Sequence, residues 1–185
     1  MKLVHANDFE AVKNIYIDVI ENTPLIERYA RWVYGKHPTD EQIKAYIERD
    51  EMYFLMDEDD AAGVVAISMN QGAEYEKIVW RDKLPNDRVA TVHLLAVSPS
   101  YQGRSLGIKL LEEAMKIAVR NGKKALRLDA LKTNLPAQRI YCRRPCSAAS
   151  RAAFSGHAGP RFPASILRTT SRAKPCRQSG CFYEF

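Results

Sequence analysis

Residues 89–107, VATVHLLAVSPSYQGRSLG, constrain the fold more than any other stretch. Val89, Val92, Leu94, Leu95 and Val97 form a short apolar run with β-branched residues, the pattern of a buried strand. Pro99 lacks a backbone donor and fixes its own φ, so Ser98-Pro99-Ser100 ends that strand. Gln102-Gly103-Arg104-Ser105-Leu106-Gly107 follows and opens a helix. Leu106, Leu110, Leu111, Ala114, Ile117 and Ala118 recur at helical spacing, separated by Lys109, Glu112, Glu113, Lys116 and Arg120.

A strand leading through a loop of small residues into a helix makes an anion cradle. The first turn of a helix presents N–H groups without intrahelical partners at the positive end of its dipole. Gly103 and Gly107 would let the backbone approach a ligand, and Arg104 would add a charge. A plain strand–helix corner, in which the glycines serve only packing, fits the same residues.

Two spacings favour the ligand. Leu95-x-Val97-x-Pro99-x-x-Gln102-x-x-Ser105-x-Gly107 resembles the acetyl-CoA signature of the GCN5-related N-acetyltransferases (GNAT), whose core is Gln/Arg-x-x-Gly-x-Gly/Ala. Ser105 stands where the family has glycine. Asn134-x-x-Ala137-x-x-x-Tyr141 lies at the family's distance from the cradle. The resemblance covers about residues 2–141. It implies an α/β chain with the acyl-CoA N-acyltransferase fold, a mixed sheet with helices on both faces, whose two central parallel strands splay apart around the pantetheine arm.

Composition separates the chain into a body and a tail. The 28 Lys and Arg against 22 Asp and Glu give a net charge of +6. Seven Arg and one Lys against one Glu fall in residues 142–185, leaving 20 basic and 21 acidic residues in 1–141. The body is therefore nearly neutral and presents no cationic surface for nucleic acid; binding through the basic tail is a more distant alternative. No apolar run reaches the ~18 residues of a membrane span, and MKLVHANDFE has no secretory segment, so the expected location is cytoplasmic. All four cysteines, Cys142, Cys146, Cys176 and Cys181, lie in the tail. With His157 they are too loosely spaced for a usual zinc site, and arginines lie between them, so no metal is expected.

The expected domains are thus an N-acetyltransferase domain at 1–141 and a basic, disordered or irregular tail at 142–185. The family has a Gly-Phe pair soon after the position of Tyr141, then two closing strands; here Arg143-Arg144-Pro145 follows. So abrupt a switch is what a change of reading frame near Cys142 would produce, and it would remove the closing strands. Phe182–Phe185 alone retains the character of a short edge strand.

Along the body the pattern gives a strand at Met1–Val4 and a helix from Phe9 to about Glu21, with Asn7 or Asp8 as its cap. A second helix is expected at Leu25–Tyr34, ended by Gly35. A third opens at Thr39, with Gln42 completing a capping box. Met52–Met56 and Ala61–Met69 read as a hairpin around a solvated acidic tip, Asp57-Glu58-Asp59-Asp60. Residues 70–88 are mixed and polar, with Tyr75, Ile78, Val79 and Trp80 as packing or substrate contacts. Asn121-Gly122 closes the cradle helix, Ala125–Leu131 is the next strand, and Asn134-Leu135-Pro136 opens the last helix.

The resemblance implies an acetyl-CoA-dependent N-acetyltransferase, with acetyl-CoA as co-substrate and a small-molecule or protein primary amine as acceptor. The backbone of Leu94–Val97, including Leu95, Ala96 and Val97, would pair with the pantetheine arm. The N–H groups of Gln102–Gly107 would hold the pyrophosphate, Asn134 would touch the cofactor arm, and Tyr141 would protonate the leaving thiolate. Tyr141 reads equally as packing at a helix end. His93 is the first choice for the base that deprotonates the amine, because its unperturbed pKa of about 6.5 suits the task. A histidine on a strand face with Leu95 and Val97 is also an ordinary hydrogen-bonded residue. Glu74 and Glu76 are weaker candidates, acting through water, while His5 and His37 read as surface positions. Residues 1–141 contain no cysteine, so transfer is direct. The helices between Pro24 and Asp50 would shape the acceptor pocket, where Glu27, Arg28, Arg31 and Trp32 are either contacts or ordinary helix faces. A catalytically inactive or truncated acyl-CoA-binding module is the alternative, and a homodimer is compatible with the sequence.

Overall fold

A computed structural model describes residues 1–80, 82–142 and 180–185 of the 185-residue chain. Six strands form one sheet in the order β1-β2-β3-β4-β5-β6. They are β1 (Lys2–His5), β2 (Met52–Asp57), β3 (Asp60–Ser68), β4 (Val89–Val97), β5 (Ala125–Leu131) and β6 (Gly180–Glu184). β4 and β5 pair in parallel and all other neighbours are antiparallel. Among the described residues five α-helices accompany the sheet: α1 (Phe9–Asn22), α2 (Ile26–Ala30), α3 (Asp40–Glu48), α4 (Leu106–Arg120) and α5 (Leu135–Cys142).

The helices cover both faces, each over its own apolar cluster. On one side Leu110, Leu111, Ala114 and Ala118 of α4 pack on Leu55, Val65, Ile67, Ala90, Leu126 and Leu128. On the other, Val12, Tyr16 and Val19 of α1 and Ile43 of α3 pack with Trp32 on Met52, Val64, Ala66 and Ala96. The alternation of β3, with Val64 and Ala66 facing one cluster and Val65 and Ile67 the other, is the period-two consequence of a strand buried on both faces.

The helix ends follow local chemistry. Asp8 accepts from the Ala11 amide at 3.1 Å to cap α1. At α3 the capping box is complete: the Gln42 amide donates to Thr39 Oγ1 at 3.2 Å, and the Thr39 amide donates to Gln42 Oε1 at 3.0 Å. The second helix is shorter than its pattern suggested. Arg31 takes a left-handed φ of 56° and stops α2 at Ala30, which turns Trp32 into the core edge-on to Tyr16 at 5.4 Å. Val33 and His37 then bridge around Gly35 (φ 74°), so this glycine makes a tight turn and does not end a helix. Tertiary burial of Trp32 has overridden helix propensity.

β6 lies outside β5, and Glu184 stands opposite Arg127. The Phe185 amide and carbonyl exchange 2.9 Å hydrogen bonds with Leu126, and Phe185 is buried. Of the arrangement considered for zinc, Cys146, His157 and Cys176 lie outside the described residues, with the rest of 143–179. Among the described residues no helix is long and apolar enough to cross a membrane.

Candidate active site

The site is built on a break in the parallel pair. Register between β4 and β5 runs Val89↔Ala125, Ala90↔Leu126, Thr91↔Arg127 and ends there, although β4 continues to Val97 and β5 to Leu131. Past Thr91 the strands part, and one edge of β4 has no strand partner among the described residues. A cleft of about 1150 Å³ occupies the gap.

A bulge in β4 aims that edge. β3 pairs Val64 with Ala96 and Ala66 with His93, so Leu94 and Leu95 together stand opposite Val65. Leu94 adopts φ 49°. Alternation inverts at this point: Ala90 and Val92 face the α4 cluster, Leu94 and Ala96 face the α1 cluster, and Leu95 and Val97 face α4 again. His93 therefore does not share a face with Leu95 and Val97, as regular alternation would have it. It faces α3 and the β3–β4 connection, stacked on Tyr46 at 6.0 Å and edge-on to Tyr75 at 6.0 Å.

Tyr16 holds the bulge. Its hydroxyl donates to the Leu94 carbonyl at 2.7 Å. Burial raises the Tyr16 phenol well above its ordinary pKa, so it remains a donor. Gly63 of β3 makes room on the other side: a Cβ there would lie 2.6 Å from the Ala96 carbonyl oxygen.

The cradle follows at the mouth of the same cleft. α4 begins after Ser105, which has φ 61° and gives no side-chain cap. The Ile108 and Lys109 amides donate to the Ser105 carbonyl at 3.1 and 3.4 Å, which leaves the Leu106 and Gly107 amides as the first-turn donors suited to an anion. Gly103 has φ 79° with nothing near its missing side chain. At Gly107 a Cβ would meet Ile140 Cδ1 at 2.9 Å, so its absence also leaves space for α5. Gln102 ties the loop down, its Nε2 donating to Thr23 Oγ1 at 3.0 Å and to the Val97 carbonyl at 3.2 Å.

Of the residues singled out in the sequence, His93, Leu95, Ala96, Val97, Gln102, Gly103, Ser105, Leu106, Gly107, Asn134 and Tyr141 all line the cleft. Arg104 is the exception: it is not among the lining residues, and its guanidinium lies 5.2 Å over the Tyr101 ring. Asn134 Oδ1 accepts from the Ala137 amide at 3.1 Å, capping α5. Tyr141 is 8% exposed, and burial, with the Asp129 charge, raises its phenol well above the usual range.

The His93 end of the cleft is polar. Burial lowers the His93 pKa below its ordinary value; Asp129, Glu74 and Glu51 pull it upward and Arg49 downward. His93 Nε2 lies 3.1 Å from Thr91 Oγ1. Tyr75 donates from its hydroxyl to Asp129 Oδ1 at 2.6 Å. Glu74 lines the cleft, while Glu76 is exposed and accepts from Asn86. His37 also lines the cleft, brought there by the Gly35 turn, with Nδ1 3.1 Å from Gln42 Oε1. His5 lies instead against Tyr53, ring centroids 4.5 Å apart.

Tyr16, Tyr46 and Asp129 were not identified as site residues by sequence reasoning. Tyr16 and Tyr46 sit on apolar helix faces and read as core. Asp129 carried a signal: Arg127 and Asp129 alternate with Leu126, Leu128 and Ala130, marking one polar face in an otherwise buried strand.

A splayed parallel pair, a bulged open strand edge and a helix N-terminus without a side-chain cap meet at one cleft. The chain matches the family model "Acetyltransferase (GNAT) family" over residues 19–146, more than half its length. It is 30% identical over 129 residues to an uncharacterized N-acetyltransferase of Archaeoglobus fulgidus, covering 68% of this chain and 74% of that protein. The fold is similar to an acetyltransferase of the GNAT family from Listeria monocytogenes (TM-score 0.65, 17% identity, 99% of this chain and 92% of that one). It is also similar to RimL, the ribosomal L7/L12 alpha-N-protein acetyltransferase (TM-score 0.56, 15% identity, 100% and 90% covered). The chain belongs to the GNAT family and is an N-acetyltransferase.

Proposed function

We propose that the chain moves an acetyl group from acetyl-CoA directly to a primary amine of a small molecule or protein. The observation that carries this reading is the open β4 edge from Val92 to Val97, beside the uncapped start of α4 in one cleft. Bound there, acetyl-CoA supplies an activated acetyl thioester. An extended arm bearing amides fits an unpartnered strand edge as an added strand would. A pyrophosphate fits the amides at the start of α4.

The chain's own groups suit the remaining steps. Backbone donors of Leu94–Val97 would lie where the carbonyl oxygen gains charge, held by the bulge and Tyr16. His93 is the base for the incoming ammonium. Its lowered pKa keeps the imidazole neutral at pH 7, and Asp129 and Glu74 favour the imidazolium formed when it takes the proton. Tyr141 is the acid for the leaving thiolate, its phenol held protonated by burial. Residues 1–141 hold no cysteine, which leaves no thiol there for an acyl-enzyme.

Thermal unfolding with and without acetyl-CoA tests the reading. A ligand at 100 times its Kd adds about 2.7 kcal/mol, which moves the midpoint by several degrees. A shift absent with plain acetate, followed by thiol release with an amine panel, is the expected result. A shift without thiol release identifies an inactive acyl-CoA-binding module. A cooperative transition that acetyl-CoA leaves unmoved overturns the proposal.

A further inference from the structure

The sheet buries a pair of opposite charges where aliphatic side chains would suffice. Arg127 and Glu184 side chains are 1% and 5% exposed. Arg127 Nε and Nη2 donate to Glu184 Oε1 at 2.9 and 2.7 Å. The other guanidinium contacts go to the β3–β4 connection: Nη1 to Gln71 Oε1, Nη2 to the Asp82 carbonyl at 2.6 Å, and the cation 4.3 Å over the Trp80 ring. Glu184 Oε2 is buried without a hydrogen-bond partner among the described residues. A pair with one such oxygen is poorly explained as a source of stability, because well-packed apolar replacements for buried ion pairs are often neutral or stabilising.

The contacts continue to the cleft. Trp80 Nε1 donates to the Tyr75 carbonyl at 2.8 Å, and the two rings stack at 5.9 Å. Tyr75 donates to Asp129 and stands edge-on to His93. Glu74, its neighbour in sequence, lines the cleft. The strand β6 therefore reaches the His93 environment through one arginine and one connection.

We propose that Arg127 and Glu184 are a positioning pair: the carboxylate of β6, through Arg127, holds the β3–β4 connection as the wall that packs Tyr75 against His93. The proposal rests on the acetyltransferase reading only in naming the His93 end as the acceptor end. Neither residue is catalytic; both act through Trp80 and Tyr75.

The test uses the full chain in two variants, Glu184→Gln and the apolar double variant Arg127→Met with Glu184→Leu. The readouts are the NMR titration of the His93 imidazole, assigned with His93→Gln, and the fluorescence of Trp80 read as the change from the parent. The expected result is a cooperative unfolding transition in the double variant, with the His93 midpoint raised by about half a pH unit or more as its surroundings open to water. Trp80 emission moves to the red. A folded double variant with parental His93 titration and parental emission overturns the proposal and makes the pair structural. Failure of both variants to fold cooperatively also overturns it, since the pair would then be needed by the whole sheet. Neither readout requires acetyl-CoA, so a failure of the acetyl-CoA shift in the parent counts against the transferase reading alone.

Discussion

The hydroxyl of Tyr16 on α1 donates at 2.7 Å to the carbonyl of Leu94, the residue at which β4 leaves regular strand geometry. One helix side chain thus fixes the backbone that forms the wall of the cleft. Tyr16→Phe leaves the carbonyl without its donor, which costs about 1–2 kcal/mol on the scale of a lost partner in a half-buried site. Urea unfolding measures the loss. The acetyl-CoA-induced thermal shift is expected to fall with it, because the open edge depends on the bulge.

Ser105 has φ 61° at the start of α4. A left-handed conformation costs an L-residue roughly 1–2 kcal/mol, and glycine avoids that while losing more chain entropy. Ser105→Gly is expected to stabilise the protein by about 0.5–1 kcal/mol, read as a higher urea midpoint at unchanged slope.

Gly63 faces the Ala96 carbonyl so closely that an added methyl would meet backbone oxygen at 2.6 Å. Backbone cannot swing aside as a side-chain end can. Gly63→Ala is expected to destabilise by about 1–3 kcal/mol, measured by denaturant unfolding.

The pH dependence of stability reports His93. Its folded pKa lies below the ordinary 6.5, chiefly through burial. The unfolded chain therefore binds that proton more readily. His93's contribution is fully present above about pH 6.5 and is lost as pH falls through the folded value. His93→Gln is expected to remove that acid-side decline, so the stability difference between the two proteins changes as pH is lowered from 7 to 5. Parallel curves over that range would exclude it.

Tyr141→Phe tests the acid. A positioned general acid contributes typically ~10²–10⁴-fold, so thiol release in the presence of an accepted amine is expected to drop about 100-fold or more. The acetyl-CoA thermal shift is expected to persist.

Much of this was legible in the residues. The 89–107 stretch encodes its strand, its loop and its helix by local chemistry, and Thr39 with Gln42 encodes a cap. The bulge was not legible. His93-Leu94-Leu95-Ala96-Val97 sits in a strand buried on both faces, and such a strand has no polar alternation to betray a change of phase. Arg127 was missed for the opposite reason, because a charge in a strand reads as exposed unless its partner is known. That partner, Glu184, lies 57 residues away along the chain. The shortness of α2 depended on Trp32 turning inward, a tertiary event without a local signal.

The three pairs Val89–Ala125, Ala90–Leu126 and Thr91–Arg127 are the whole seam between two half-sheets. In mechanical terms they are the apex of a wedge, and whatever lodges between the diverging strands acts on that apex through a lever. The seam ends at Arg127, the residue that also fastens β6 and the β3–β4 connection. The same guanidinium that bonds the β3–β4 connection therefore stands at the tip of the split, and on the positioning role proposed above the width of the opening and the shape of its far end would change together.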